Sequence, residues 1–154
     1  MSRESLHQFV HKFIAARKYG VISSIGPQGE PQSALVGIAV SPALEIVFDT
    51  VKTSRKYPNL KADPRIAIVT GWEGEQTVQY EGIAVEPEGR DLVHAKQVYF
   101  AGWPDGVERQ KWPAIAYFLV RPTWIRYSDF DTGRVEEMRF EPASSAGATE
   151  SRQS

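Results

Sequence analysis

The chain opens on a helical period. Between residues 5 and 18, Leu6, Phe9, Val10, Phe13 and Ile14 fall at i, i+3, i+4, i+7 and i+8, one apolar stripe of an amphipathic helix. Ser2 or Ser5 can cap its start, and Gly20 can close its end. The pattern then turns to β type. "YGVISSI" and "SALVGIAV" flank "GPQGEP", where Pro27 and Gly29 suit a tight reversal, so the segment reads as a hairpin. "SPA" marks a second turn before the strand "LEIVFDT". A short helix follows, ended by Asp63-Pro64, and "RIAIVTGW" is the next strand.

"EGEQ" turns the chain into "TVQYEGIAVEP", whose alternation is clean. Thr77, Gln79 and Glu81 point one way, and Val78, Tyr80 and Gly82 the other. Residues 88–101 read as a helix, and "GWPDGVERQKWP" as a loop with one helical turn. "AIAYFLVRPTWIRYSDF" is a long strand or two, with Pro122 at a bend or an edge. "RVEEMRF" is a final short strand. Six or seven strands at hairpin spacing predict a mostly β, antiparallel barrel or sandwich with peripheral helices, because parallel crossovers need about a dozen residues or more. Residues 1–141 form one expected domain. Residues 142–154, without aromatics or apolar periodicity, read as a disordered tail.

Composition narrows the chemistry. Hydrophobic residues make up 42% and charged residues 24%, enough apolar material for a core. A net charge of -1 argues against a general nucleic-acid binder. The absence of cysteine removes disulfides, thiolate nucleophiles and thiolate metal sites. No apolar run reaches the roughly 20 residues that span a bilayer, and the N-terminus does not read as a signal peptide, so the expected location is the cytoplasm. His7 and His11 share a helix face, but no third ligand has a recognisable spacing, and no metal site is expected. The phosphate loops G-x-G-x-x-G and Walker A are missing, as is a G-x-S-x-G elbow.

One stretch stands out, "DTVKTSRKYPNLKADPR" at residues 49–65. Ser54 or Thr53 can cap a helix there, Arg55 offers a planar fork to phosphate oxygens, and Lys56 adds a mobile charge. Pro58 is comfortable only in a first helical turn, which places the helix start near residues 54–57. The plainer reading is a solvated, capped basic helix start. The polar face Thr77/Gln79/Glu81 could hydrogen-bond a ribityl chain or a heterocycle edge, or could simply be wet. Among the aromatics, Trp72, Trp103, Trp112, Trp124, Tyr99, Phe100 and Tyr127 are expected mostly in the core or a subunit interface.

The order of these pieces is similar to that of the pyridoxamine 5'-phosphate oxidase-like, FMN-binding split-barrel family. The resemblance covers about residues 5–140, and its most specific parts are the "S-R-K…N-L…D-P-R" block and the "V-x-Y-E-G" strand. It implies a six-stranded antiparallel split β-barrel that forms a homodimer, with FMN at the subunit interface. By position it implies Ser54, Arg55 and Lys56 on the phosphate, and Phe48, Asp49 and Thr50 at a strand end lining the flavin. Leu35, Val36 and Gly37 would lie beside the isoalloxazine ring, and Thr77 and Gln79 would reach the flavin edge or ribityl chain. Trp124, Ser128 and Arg134 of the partner chain would close the cleft.

The chain also departs from the vitamin B6 oxidase. That enzyme carries an arginine and a lysine on the strand matching residues 34–39, where this chain has "ALVGIA". Its tryptophan position falls near Ser128, and only Arg134 keeps something like its substrate-binding arginine. The resemblance therefore implies a flavin-dependent oxidoreductase of unassigned substrate, not a true pyridoxamine phosphate oxidase. A deazaflavin-dependent reductase and a non-catalytic flavin or heme module are the alternatives.

Overall fold

The computed structural model describes residues 1–141, so the expected tail at 142–154 lies outside the described residues. α1 (Arg3–Arg17) starts on Ser2, whose Oγ accepts the Ser5 amide at 3.1 Å. It ends at Lys18 in a left-handed conformation (φ 68°), not at Gly20. Gly20 lies inside β1 instead, where an added Cβ would come within 3.2 Å of Ile38 and Ile68. The glycine serves close packing there and not helix termination.

β1 (Tyr19–Ile25), β2 (Pro31–Gly37), β3 (Ala39–Val40), β4 (Ile46–Val51), β5 (Arg65–Thr70), β6 (Gln76–Val85), β7 (Ile115–Asp129) and β8 (Arg134–Arg139) form one antiparallel sheet. The helices are α2 (Lys56–Ala62), α3 (Gly89–Gly102) and α4 (Gly106–Arg109). The sheet therefore has eight strands rather than six. One reason is that the expected strand at 33–40 breaks at Ile38, whose amide leaves the ladder to bond the Lys18 carbonyl at 2.9 Å. Strand order is β2-β1-β5-β6-β7-β4-β3, with β8 added beside β7. β2 and β3, at the two ends of that order, are consecutive in the chain, so the sheet curls back on itself.

β7 is the spine. Residues 119–129 pair with β6, residues 115–120 pair with β4, and residues 124–129 pair with β8. Register slips at Glu81/Gly82 opposite Pro122, which confirms the proline at an irregularity. Gly82 is required there, since a Cβ would sit 2.5 Å from the Arg121 carbonyl oxygen.

The core explains the two kinds of strand pattern. Val10 and Ile14 of α1 join Ile22, Phe48, Ile68, Tyr80, Phe118 and Ile125 inside the curl. A second cluster, Ala39, Val47, Ala95, Tyr99, Tyr117 and Leu119, lies between α3 and the outer face of β3, β4 and β7. β4 and the first half of β7 are thus covered on both faces and read as continuous apolar runs. β5 and β6 alternate strictly because their outer face is bare. That face carries Leu35 (62% exposed), Val69, Ile83 and Val135 (55% exposed).

Candidate functional site

The Ser54-Arg55-Lys56 block enters α2 beside β1 and β2. The expected serine or threonine cap is not formed. Arg55, itself in a helical conformation, occupies the N-cap without a side-chain bond, and the Ser54 hydroxyl pairs with that of Thr50 at 2.9 Å. Pro58 falls in the first turn as predicted.

Arg55 and Lys56 line a recess of about 70 Å³ with Ile22, Ser24, Gln32, Ser33 and Ala34. Its floor is a fixed polar network. Asn59, buried on the inner side of α2, donates from Nδ2 to Gln32 Oε1 at 2.8 Å and to Ser24 Oγ at 3.1 Å. On its other flank α2 is tethered by Glu86, which accepts from the Tyr57 hydroxyl at 2.8 Å and from Lys61 at 3.0 Å. Among the described residues, no carboxylate forms an ion pair with Arg55 or Lys56. Burial pushes the Lys56 ammonium below the ordinary lysine value. Two cations without partners beside fixed hydroxyl and amide groups form a setting suited to an anion. At seven residues α2 adds little dipole, so the side chains dominate.

The remaining expected site residues fall into distinct places. Thr50 joins the block through Ser54. Phe48 is fully buried against Phe118, so only its backbone remains available. The Asp49 carboxylate turns toward α3 and α4. It accepts from the Tyr99 hydroxyl at 3.0 Å and from Arg109 Nε at 2.8 Å. Leu35 lies on the bare outer face with Gly37, and Val36 packs on the core. Trp103 lies against Gly37, where a Cβ would sit 2.8 Å from its ring, and its indole N–H donates to the Ile38 carbonyl at 2.9 Å.

Thr77 and Gln79 stand on the outer face of β6, in register with Ser128 and Arg126 of β7. Trp124 joins them there, with Nε1 donating to Glu137 Oε2 at 3.4 Å. Arg134 does not. Its guanidinium lies 4.6 Å from the Phe9 ring centre, on the α1 side of the sheet. Within one chain, then, the recess beside α2 and the polar outer face of β6 are separate. Ser24, Gln32 and Asn59 were missed from the sequence. Asn59 carried the one usable signal, a polar residue preceding Leu60 on the buried side of a short helix.

The expected core aromatics divide. Tyr99 and Tyr127 are buried, whereas Trp72 and Trp112 are about half exposed. Among the described residues, no group of three or more histidines or carboxylates is placed to hold a metal ion. No described helix is long and apolar enough to cross a membrane.

A curled antiparallel sheet branched at one long strand, with a cationic recess beside its second hairpin strand, is the architecture of a split β-barrel. The chain belongs to the pyridoxamine 5'-phosphate oxidase family, whose profile it matches over residues 6–129. No curated protein matches it in sequence. Solved structures share the fold at low identity. A heme binding protein from Mycobacterium smegmatis superposes with a TM-score of 0.76 at 18% identity, covering 90% of this chain and 59% of the other. General Stress Protein 26 from Bacillus anthracis gives 0.69 at 20% identity over 88% of this chain and 98% of the other. Campylobacter jejuni ChuZ gives 0.74 at 11% identity, over 90% and 61%. The chain thus spans about three fifths of the length of the heme binding protein and of ChuZ.

Proposed function

We propose that this chain is an FMN-binding flavoprotein of the oxidoreductase class, working as a homodimer with the cofactor between subunits. The observation that carries the reading is the pair of cations, Arg55 and the partly desolvated Lys56, that no carboxylate among the described residues pairs with, at the polar recess beside β1 and β2. Such a recess suits the terminal phosphate of FMN and fits neither a bare aromatic ligand nor a metal. When bound, the flavin would supply the redox chemistry.

The chain's own residues would hold and orient it. Arg55 and Lys56 neutralise the phosphate. Ser24 and Gln32, locked by Asn59, keep the recess open without reorganisation. Gly37 is covered by Trp103, which fixes the end of β2, so the planar ring would lie along the strand at Leu35 and Val36. Thr77 and Gln79 of the partner offer hydroxyl and amide groups to the polar edge.

The bare face with Leu35, Val69 and Ile83 supports the homodimer, because an exposed apolar patch is stabilised by a second copy. The segment "ALVGIA" at residues 34–39 carries no cation, unlike the strand it matches in the vitamin B6 oxidase, so a phosphorylated pyridoxine is not the proposed substrate. A deazaflavin, whose tail is also anionic, is the competing cofactor. Heme is disfavoured at this recess, whose lining holds no histidine.

The test is the absorbance spectrum of the purified protein titrated with FMN, with its mass measured by sedimentation. A saturable, protein-shifted flavin spectrum on a dimer supports the reading. A colourless protein that ignores FMN, or one that takes deazaflavin or heme in its place, refutes it.

A further inference from the structure

A second recess, of about 370 Å³, lies where the end of α1 meets the β5–β6 turn. Its lining is Ala16, Arg17, Tyr19, Gly71, Trp72 and Glu73. The size falls within the range of small-molecule sites, whose lower end is about 300 Å³.

Arg17 is its one cation. The guanidinium carbon lies over the Phe13 ring, 3.8 Å from the centroid. Its Nε–H is buried without an acceptor. Among the described residues no carboxylate reaches the guanidinium within ion-pair distance, although Glu73 lines the same recess. A guanidinium over an aromatic ring, with no ion pair among the described residues, keeps its terminal N–H donors for whatever enters the recess.

The walls are aromatic. Tyr19 and Trp72 are 45% and 56% exposed. The Tyr19 carbonyl accepts from Thr70 Oγ1 at 2.7 Å, and the Tyr19 ring packs edge-on against Trp103. Gly71 has a positive φ of 81°, and a Cβ there would meet the Phe13 ring at 2.6 Å. The turn therefore lies directly over the ring that carries Arg17, and Trp72 follows it at the rim.

We infer that this recess binds a small aromatic carboxylate, with its acid group on Arg17 and its ring between Tyr19 and Trp72. The inference does not rest on the flavin reading, because neither Arg55 nor Lys56 lines this recess.

The test is isothermal titration calorimetry of the full chain with benzoate and with its neutral isostere benzamide. Benzoate is expected to saturate one site per chain. Benzamide, and benzoate on Arg17→Gln, are expected to bind roughly ten- to a hundredfold more weakly, as befits the loss of a charge-assisted hydrogen bond. Glu73→Gln should tighten benzoate binding by removing a like charge. Melting curves report folding of each variant. Should Arg17→Gln not fold, Trp72→Leu, a change at a half-exposed rim position, must weaken benzoate instead. The inference is overturned if benzoate does not saturate, if benzamide binds as well, or if folded Arg17→Gln or Trp72→Leu binds like the parent chain.

Discussion

Asp49→Ala separates the two roles that this position could play. By its place after "LEIVF" the residue resembles a cofactor-lining strand end, yet its carboxylate is spent on Tyr99 and Arg109. The side chain is only 14% exposed and that of Arg109 21%. Each of the two bonds is worth about 1.5–3 kcal/mol if fully desolvated and charge-assisted. The sum is reduced on two counts. The cluster is partly open to water, and Arg109 keeps Asp105 as a second partner at 3.1 Å. The variant should therefore lose about 2–3 kcal/mol of stability. For a domain of this size that lowers the melting temperature by about 4–12 °C. Urea unfolding and scanning fluorimetry measure the loss, and a parallel titration measures flavin affinity, which should stay within about twofold. The reasoning fails if stability is unchanged. It also fails if a folded variant loses flavin binding, for then the carboxylate faces the cofactor after all.

Other consequences can be measured separately. Gly71→Ala forces a side chain into a positive-φ position and against Phe13, so it should cost about 1–3 kcal/mol in denaturant unfolding. Tyr80→Phe removes a buried hydroxyl that donates to the Leu44 carbonyl at 2.7 Å and is 3.1 Å from that of Val120, and should cost about 1–2 kcal/mol by the same assay. Desolvation favours protonation of Glu86, but the bonds from Lys61 and Tyr57 outweigh it and hold the carboxyl below its ordinary 4.5. Its contribution is therefore complete above that value and disappears as pH falls through the depressed one. The stability gap between the parent chain and Glu86→Gln should close over that interval in a pH series of urea melts. Burial lowers the Lys56 value, so FMN affinity should begin to fall at a lower pH than an ordinary lysine at 10.5 would give, and a titration series in rising pH reads it.

The periodic segments were open to reading from the sequence because single-face burial dictates them. Val78, Tyr80 and Gly82 alternate with Thr77, Gln79 and Glu81 since only one side of β6 meets the core. Leu6, Val10, Phe13 and Ile14 repeat at helical spacing since α1 rests on the sheet by one stripe. Backbone strain was harder to place. Lys18 and Leu44 take positive φ at turns where no glycine announces it, and this displaced the expected helix end. Ser54 fits the sequence rule for a cap, but Thr50 stands opposite and takes its hydroxyl.

The candidate site was half legible. Its cations lie together in the chain, whereas Ser24 and Gln32 reach the recess only because β1, β2 and α2 fold against one another, with Asn59 joining them. The fate of Asp49 depended on Arg109, which lies sixty residues away in sequence on a one-turn helix.

The central claim is that Arg55 and Lys56 clamp a flavin phosphate. Comparison of FMN with riboflavin, which lacks that phosphate, on the parent chain and on Arg55→Ala/Lys56→Ala isolates it in a single cycle. Two charge-assisted contacts predict that the parent chain prefers FMN by roughly a hundredfold or more, and that the double variant binds the two alike. Equal affinity for both flavins in the parent chain, or an undiminished FMN preference in a folded double variant, would contradict it.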